Sequence, residues 1–542
     1  MKKTPRIVSY LIIITAAILT LLPYLVDGQI GCVKDKCGFI FGSNFRDGMW
    51  FMAVANVAFQ KFPFLHPTYA GETLKGYHFL PNFLVFALSK IGISSFFSYF
   101  KLIPILYFLL ITFVLCKTLK KINNNLAFIN LGLFFFYFGI PLTLLTALLN
   151  NQPLNNGLLI NTFQATRVLE SPHTAIGLVI ILIIFYWLLT EKINQKWPIF
   201  LFLLFFSFGI KFYVATTLSL IIIFYLFLNV KKDFIGSIKK FFSLVLTALM
   251  AILIFLQPSF NQSPTFNFSP FATVHHLIES PNLFYNKNLV LARYFLYEKG
   301  LGPRLLAIEL YSLFLFVFFY LGTRFLGIFY FLKHKFKTLD LSIFFTFITS
   351  VFLSAFFVQR GDWFNPIQFL VPNAYILSLY TAIFFYNLYK KNKALFTIFF
   401  IPTFIFTFIP NLINLNYPFS QSRFVINQYE IEALNFLKKQ PFGAVFTPID
   451  KNDTSYVAAF SGKPTYLNFL TINETLGVDF RQRLKQINNP DEFNPDLVKV
   501  KYFYLPKEND FTQKTIKKFN QVIYKKIFEN KKVIILINSR EK

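Results

Sequence analysis

From about residue 7 to residue 414 the chain alternates between long apolar runs and short polar turns. Apolar runs of this kind can cross a bilayer as helices, because only a helix or a closed barrel satisfies its own backbone polar groups inside lipid. The pattern predicts crossings at about 7–25, 96–116, 126–148, 174–190, 197–211, 213–229, 241–256, 306–332, 339–358, 366–388 and 394–414. The chain therefore reads as a polytopic α-helical membrane protein of about 11 transmembrane helices. Two stretches are ambiguous by length. Residues 77–92, YHFLPNFLVFALSKIG, are apolar but short for a crossing, and are read as a helix lying in or dipping into the outer leaflet. The run WPIFLFLLFFSFGIKFYVATTLSLIIIFYLFL must hold either two short helices or one long tilted one.

Basic clusters orient these crossings. They are Lys117/Lys120/Lys121, Lys192/Lys196, Lys231/Lys232 with Lys239/Lys240, Lys333/Lys335/Lys337 and Lys390/Lys391/Lys393. Positive loops stay on the cytoplasmic side, so the alternate loops and the C-terminus are expected outside and the N-terminus inside, in a multi-pass protein of the cell membrane. The N-terminal MKKTPRIVSYLIIITAAILTLLPYL has the charged and apolar parts of a secretion signal without a small-residue cleavage site, and is read as a retained anchor. The formal net charge of +28 sits mostly in loops flanking spans and in the tail, so topology accounts for it and no nucleic-acid partner is implied. The wealth of Phe, Ile, Lys and Asn also fits an AT-rich coding bias. The 3 cysteines are too few for a disulfide framework or a thiolate metal site. Cys116 falls in a predicted span. Cys32 and Cys37, in GCVKDKCG, lie in the first outer loop, where an oxidising compartment would allow them to be paired or free.

After Pro410 the pattern changes. Residues 1–419 form the expected membrane domain, with a long first outer loop at 26–95, and 420–542 read as a soluble extracytoplasmic α/β domain. Its predicted elements are helices in NQYEIEALNFLKKQ and VDFRQRLKQI and strands in AVFTPI, PTYLNF, VKYFYLP and KKVIILIN. The tail shows no nucleophile elbow, phosphate loop or metal cluster. Its sequons at Asn452 and Asn473 are short enough to arise by chance.

The outer loops carry the candidate chemistry. Asp47 opens a predicted helix, since Trp50, Val54, Val57 and Ala58 follow at helical spacing, and a carboxylate there is favoured by the helix dipole. By itself Asp47 reads first as an N-cap. Glu72 and His78 follow in the same loop. In NTFQATRVLESPHTAIG, Arg167, Glu170 and His173 precede a span, with Pro172 favouring a turn; they read either as a polar rim or as a second site. Lys211 stands alone in an apolar stretch, where it either serves function or snorkels from a helix end. Adjacent His275 and His276 would point about 100 degrees apart on a helix and do not make a chelating pair. Arg293 and Arg304 are forked donors able to hold phosphate or pyrophosphate. The turn FVQRGDWFNPIQF offers Arg360 and Asp362 among amides and Trp363, a mixture suited to sugars, although Trp363 equally fits an interfacial belt.

The first outer loop, FRDGMWFMAVANVAFQKFPFLHPTYAGETLKGYHFLPNF, resembles the first-loop signature of the GT-C membrane glycosyltransferases: an Asp, an aromatic-rich helix, PTYAG, then YHFLPNF entering the membrane. The overall plan is similar too, with many spans, a long first outer loop and an external C-terminal domain. The resemblance implies a glycosyltransferase that takes a sugar from a polyprenyl-phosphate donor and passes it to an extracytoplasmic lipid, glycan or protein acceptor. It implies Asp47 as catalytic base in an inverting reaction, with the polar loop residues named above binding substrate. Some members of that group use a divalent metal. Asp27, Asp35, Asp47 and Glu72 are the few carboxylates of this loop, so metal independence is the expectation and a divalent metal the alternative. Two other readings fit the same chain: a lipid or polysaccharide flippase or transporter, and a non-catalytic GT-C-like membrane protein. Transporters commonly show duplicated halves, and none is visible here.

Overall fold

The computed structural model describes residues 4–27, 31–33, 36–39, 45–151, 171–257, 265–281, 283–332, 336–420, 424–450 and 452–541. The chain folds into two compact units. The first comprises Met1–Leu22, Pro104–Ile254 and Phe266–Tyr417, and the second Pro23–Ile103, Phe255–Thr265 and Pro418–Lys542. The second unit is thus assembled from three segments far apart in the chain.

Among the described residues, 8 helices are long and apolar enough to cross a membrane: Ser95–Ile122, Pro172–Leu189, Phe212–Asn229, Phe234–Leu256, Pro303–Leu332, Thr338–Phe356, Asn365–Lys391 and Lys393–Ile413. A ninth candidate is the pair Leu126–Phe138 and Thr143–Leu149, bent by 57°. Shorter apolar helices occupy Arg6–Leu22, Leu80–Lys90 and Trp197–Ile210. Every sequence-predicted crossing therefore contains a helix, but length alone qualifies 8 or 9 as spans rather than 11. The run across 197–229 is two helices, Trp197–Ile210 and Phe212–Asn229, parted at Lys211, which is extended with φ −162° and ψ 116°. Pro172 does not make a turn before His173: it is the first residue of the helix Pro172–Leu189, the position where its missing N–H costs nothing.

Burial grades the first unit. In Asn365–Lys391, 89% of the apolar window is buried, against 17% in Phe234–Leu256 and 22% in Lys393–Ile413, so the first is central and the other two leave an apolar face for lipid. Between helices in lipid there is no hydrophobic gain to be made by burial, and close contact depends on small residues. A Cβ on Gly177 would stand 2.5 Å from Val214 Cγ2, and one on Gly132 would overlap Leu119. Polar residues add bonds: Asn373 Nδ2 donates to Ser350 Oγ at 2.9 Å, and Tyr380 Oη donates to Asp340 Oδ1 at 2.9 Å. The bent pair packs where Pro303–Leu332 is itself jointed at Gly322, with Leu142 N–H donating to Phe319 O at 2.8 Å. Arg324, fully buried just beyond that joint, donates from Nε to Ser378 Oγ at 2.9 Å and lies 4.7 Å over the Tyr375 ring. Asn411 Nδ2 closes the elbow by donating to Phe138 O at 2.7 Å.

The C-terminal part of the second unit holds a 4-stranded sheet, in the order Val445–Phe446, Tyr502–Pro506, Val533–Asn538, Tyr524–Glu529. The first pair is parallel and the others antiparallel. Phe446, Leu467, Phe503, Leu505, Phe511 and Leu536 form its core. The predicted helices appear as Gln428–Lys439 and Arg481–Asn488. The predicted strand in PTYLNF is reduced to one bridge, Thr465 to Val445. Its remaining backbone groups pair with the first loop instead: Thr465 N–H donates to Pro67 O at 2.9 Å, Ala70 N–H to Thr465 O at 2.8 Å and Asn468 N–H to Thr68 O at 3.0 Å. The short strands Gly31–Val33, Lys36–Phe39 and Phe424–Asn427 make a further antiparallel sheet in which Cys32 stands opposite Cys37; the pairing of their thiols lies outside the described side chains.

Candidate functional site

In the second unit, the helix Phe45–Val57 carries Asp47 in its first turn. From Gly48 to Val57 every residue of this helix but Asn56 is buried, with Met49, Trp50, Met52, Ala53 and Val54 at most 2% exposed. Asp47 is exposed. The helix is held close: a Cβ on Gly48 would lie 2.7 Å from Phe100 Cζ, and Asn56 Nδ2 donates to Ala459 O at 2.8 Å. An exposed carboxylate at the head of a helix fixed on all sides is favoured by the dipole and has little freedom to wander.

Its neighbour Arg46 is committed elsewhere. Nη2 donates to Asp453 Oδ2 at 2.8 Å and Thr471 Oγ at 2.7 Å, and the guanidinium lies 5.1 Å over the Phe469 ring. Asp453, at a left-handed φ of 48°, also accepts from Leu470 N–H at 2.6 Å and Thr471 Oγ at 3.0 Å. A wall of rings follows. Trp50 meets Tyr77 edge-on at 5.3 Å and Phe469 at 6.2 Å, and His78 stacks on Tyr77 at 4.8 Å. Burial pushes the Tyr77 phenol well above its ordinary range, the Trp50 indole opposes this, and the Asp47 carboxylate adds to it. Tyr77 thus feels the charge of Asp47 and stays a neutral hydroxyl. Glu72 is exposed; its backbone carbonyl accepts from His66 N–H at 2.9 Å, which shapes the loop.

His66 is 1% exposed, and its Nδ1 accepts from Thr68 N–H at 3.4 Å. Burial, then the nearby Arg483 charge, lowers its pKa from 6.5 to about 3. Arg483 is clasped between the rings of Tyr69, 3.7 Å away, and Tyr466, 4.4 Å away, and donates to Tyr466 O at 2.6 Å. Because the folded pKa of His66 lies below the unfolded one, its neutral form stabilises the fold in full above about pH 6.5, and that stability drains away as pH falls towards 3. Denaturant titrations of the whole protein between pH 7 and 4 are expected to show a loss of up to ~1.4 kcal/mol per pH unit from this one proton. His66→Gln should flatten that slope; an unchanged slope would place the acid sensitivity elsewhere.

The first unit holds a second group of polar residues. His173 is fully buried in the helix Pro172–Leu189, while Arg167 and Glu170 lie outside the described residues. At the break between two helices, Lys211 Nζ is 5.8 Å from the Tyr213 ring. Tyr213 Oη donates to Gln359 Oε1 at 2.6 Å, and Asn365 Nδ2 donates to the same oxygen at 2.7 Å. Gln368 Nε2 donates in turn to Asn365 Oδ1. Gln359 ends a strand, Phe357–Gln359, paired with Phe266–Phe268, and the turn after it passes through half-buried Arg360, Gly361 at φ 73° and exposed Asp362.

The helix Ala272–Glu279 carries both histidines, which face different partners. His275 Nε2 lies 2.7 Å from Glu309 Oε2. His276 points edge-on to Trp363 and Phe364, each at 5.1 Å; burial lowers its pKa and Glu279 opposes the shift. Arg293, expected as a phosphate donor, is spent internally: Nε donates to Glu309 Oε1 at 3.0 Å and Nη1 to Glu279 Oε1 at 2.5 Å. Arg304 is exposed in the first turn of Pro303–Leu332. Glu309 was missed in the sequence, although a lone carboxylate inside an apolar run is itself a signal. Arg46, Asp453, Thr471 and Arg483 were missed for another reason: nothing local marks residues that meet only through folding.

Among the described residues, no 3 or more His, Cys, Asp or Glu side chains are grouped so as to hold a metal ion. No family model matches the sequence, and no curated protein matches it. Among solved structures, the chain is similar to the oligosaccharyltransferase AglB of Archaeoglobus fulgidus. The complex of that protein with an inhibitory peptide and a dolichol-phosphate matches at 12% identity, over 93% of this chain and 69% of that one, with a TM-score of 0.47. Its complex with Zn and sulfate matches at 13% identity, over 91% and 68%, with a TM-score of 0.44. A form tethered to an acceptor peptide containing the NVT sequon gives 12%, 93%, 69% and 0.47. At such TM-scores the likeness assigns neither activity nor site residues to this chain.

Proposed function

We propose that the protein is an integral-membrane glycosyltransferase of the GT-C type, transferring a sugar from a polyprenyl-phosphate donor to an extracytoplasmic acceptor, with Asp47 as base. The observation that carries this reading is the exposed Asp47 carboxylate on a helix buried from Gly48 to Ala55, beside an arginine tied to Asp453. The acceptor hydroxyl is a weak nucleophile. Asp47 takes its proton as the new glycosidic bond forms, the bond from the anomeric carbon to the phosphate oxygen breaks, and polyprenyl phosphate leaves with the electron pair. Attack from the face opposite the leaving group inverts the anomeric centre. Arg304, Lys211 and Arg360 carry the positive charge that a phosphate would need, whereas Arg293 is held by Glu279 and Glu309. In this reading the basic loops are cytoplasmic and the C-terminal region is extracytoplasmic.

The test is transfer of labelled sugar by the purified protein from a panel of polyprenyl-phosphate donors. Turnover on at least one donor is expected. Failure on every donor, with lipid movement across vesicles that contain the protein, would replace the transferase with a flippase.

A further inference from the structure

We infer that the turn Phe357–Phe369, with Tyr213 behind it, is a binding subsite for the hexose ring of the donor; this rests on the glycosyltransferase reading. The turn is built around a ladder of amides. Gln359 Oε1 takes two donors, from Tyr213 Oη at 2.6 Å and Asn365 Nδ2 at 2.7 Å, and Asn365 Oδ1 takes Gln368 Nε2. Each bond fixes which way an amide faces, because an oxygen that accepts twice leaves its own NH2 pointing the other way.

What remains is specific. Among the described residues, the Gln359 amide nitrogen and the Gln368 amide oxygen have no hydrogen-bond partner. The ladder therefore presents a donor at one end and an acceptor at the other, on residues that are only half-buried. A hydroxyl both gives and takes a hydrogen bond, so a ring bearing several hydroxyls satisfies both ends, whereas a phosphate satisfies only the donor.

Rigidity argues for a binding role over a mere turn cap. Gln359 is pinned by pairing with Phe266, and Asn365 N–H donates to Asp362 O at 3.0 Å. Tyr213 arrives from a different helix, Phe212–Asn229, and its hydroxyl locks the ladder from behind. On the same turn Trp363 is 45% exposed, yet its ring is steadied edge-on by His276 at 5.1 Å and Phe364 at 5.3 Å. An indole held upright with open apolar surface suits the C–H face of a pyranose, and preorganised groups of this kind bind at low entropic cost. Lys211, beside Tyr213, supplies a positive charge for the phosphate joined to that sugar.

The experiment compares binding of a short polyprenyl phosphate carrying one hexose with binding of the same lipid as its methyl phosphodiester, which keeps the single phosphate charge, each titrated into the whole protein in detergent. The ratio of the two affinities cancels whatever the lipid and phosphate contribute. In the wild type the hexosyl lipid should bind about tenfold or more tighter. Gln359→Met removes the outward N–H donors together with the oxygen that Tyr213 and Asn365 share, and should bring the ratio close to one; Trp363→Ala should do likewise without touching the ladder. A wild-type ratio near one, or an unchanged ratio in both variants, overturns the subsite. If the ratio responds as expected while no donor supports transfer, the hexose site stands and the transferase assignment falls.

Discussion

Asp47→Asn is expected to reduce kcat for sugar transfer by about 10²- to 10⁴-fold, the range in which a positioned general base contributes, while KM changes little. The amide keeps the size and hydrogen-bonding reach of the carboxylate but cannot take the acceptor proton. Asp47 is exposed at the head of its helix, where the dipole interaction that the amide loses contributes ~1 kcal/mol or less. That separates chemistry from folding, since the helix is secured by Trp50, Met52 and Val54 in the core and by Asn56 bonded to Ala459. Transfer that stays within about tenfold of wild type would remove Asp47 from the centre of the reaction. A change confined to KM would make it a binding residue.

Gly322→Ala should be among the most damaging small substitutions in the protein. Gly322 has φ 61° and ψ −138°, a conformation that residues with a Cβ rarely adopt. The added methyl would also lie 1.8 Å from Ile140 O, 2.9 Å from Ile140 C and 3.2 Å from Pro141 Cα. All of these atoms are backbone, so no side chain can swing aside. The elbow at 139–142 is held in turn by Leu142 bonded to Phe319 and by Asn411 bonded to Phe138, which leaves it no easy retreat. Strain and overlap together predict a loss of roughly 4 kcal/mol or more, read as a collapse of thermal stability in detergent or of monodisperse yield. A variant within about 1 kcal/mol of wild type would show that this approach is looser than described. The same elbow receives Arg324, whose Nε would be 2.4 Å from a Cβ on Gly139, so Gly139 and Gly322 both keep the joint of two broken helices narrow.

The helices were legible because each depends on local pattern. A long continuous apolar run in lipid satisfies its backbone as a helix, so the sequence alone located helices at every expected crossing. The break at Lys211 was visible as a charge between two runs, but the chain's length there allowed one helix or two, and only packing of the pair settled it. In the sheet, Tyr502–Pro506 and Val533–Asn538 were readable as buried apolar strands. The strand Tyr524–Glu529 was not, because the irregular register between Lys526 and Phe528 breaks its alternation and its lysines are those of an exposed edge.

Site assembly was decided elsewhere. The sequence determined that Asp47 opens a helix, that alternate loops gather polar and aromatic residues, and that PTYLNF favours an extended backbone. It did not determine that this backbone bonds to Pro67, Thr68 and Ala70, or that Arg46 is taken up by Asp453 some 407 positions away. Nor did it reveal that Arg293, free to serve a phosphate in one dimension, is consumed by Glu279 and Glu309 in three. Periodicity and charge act over a few residues and survive in the linear text; a carboxylate's partner depends on which distant segment folding brings within about 3 Å, and tertiary structure alone supplies that choice.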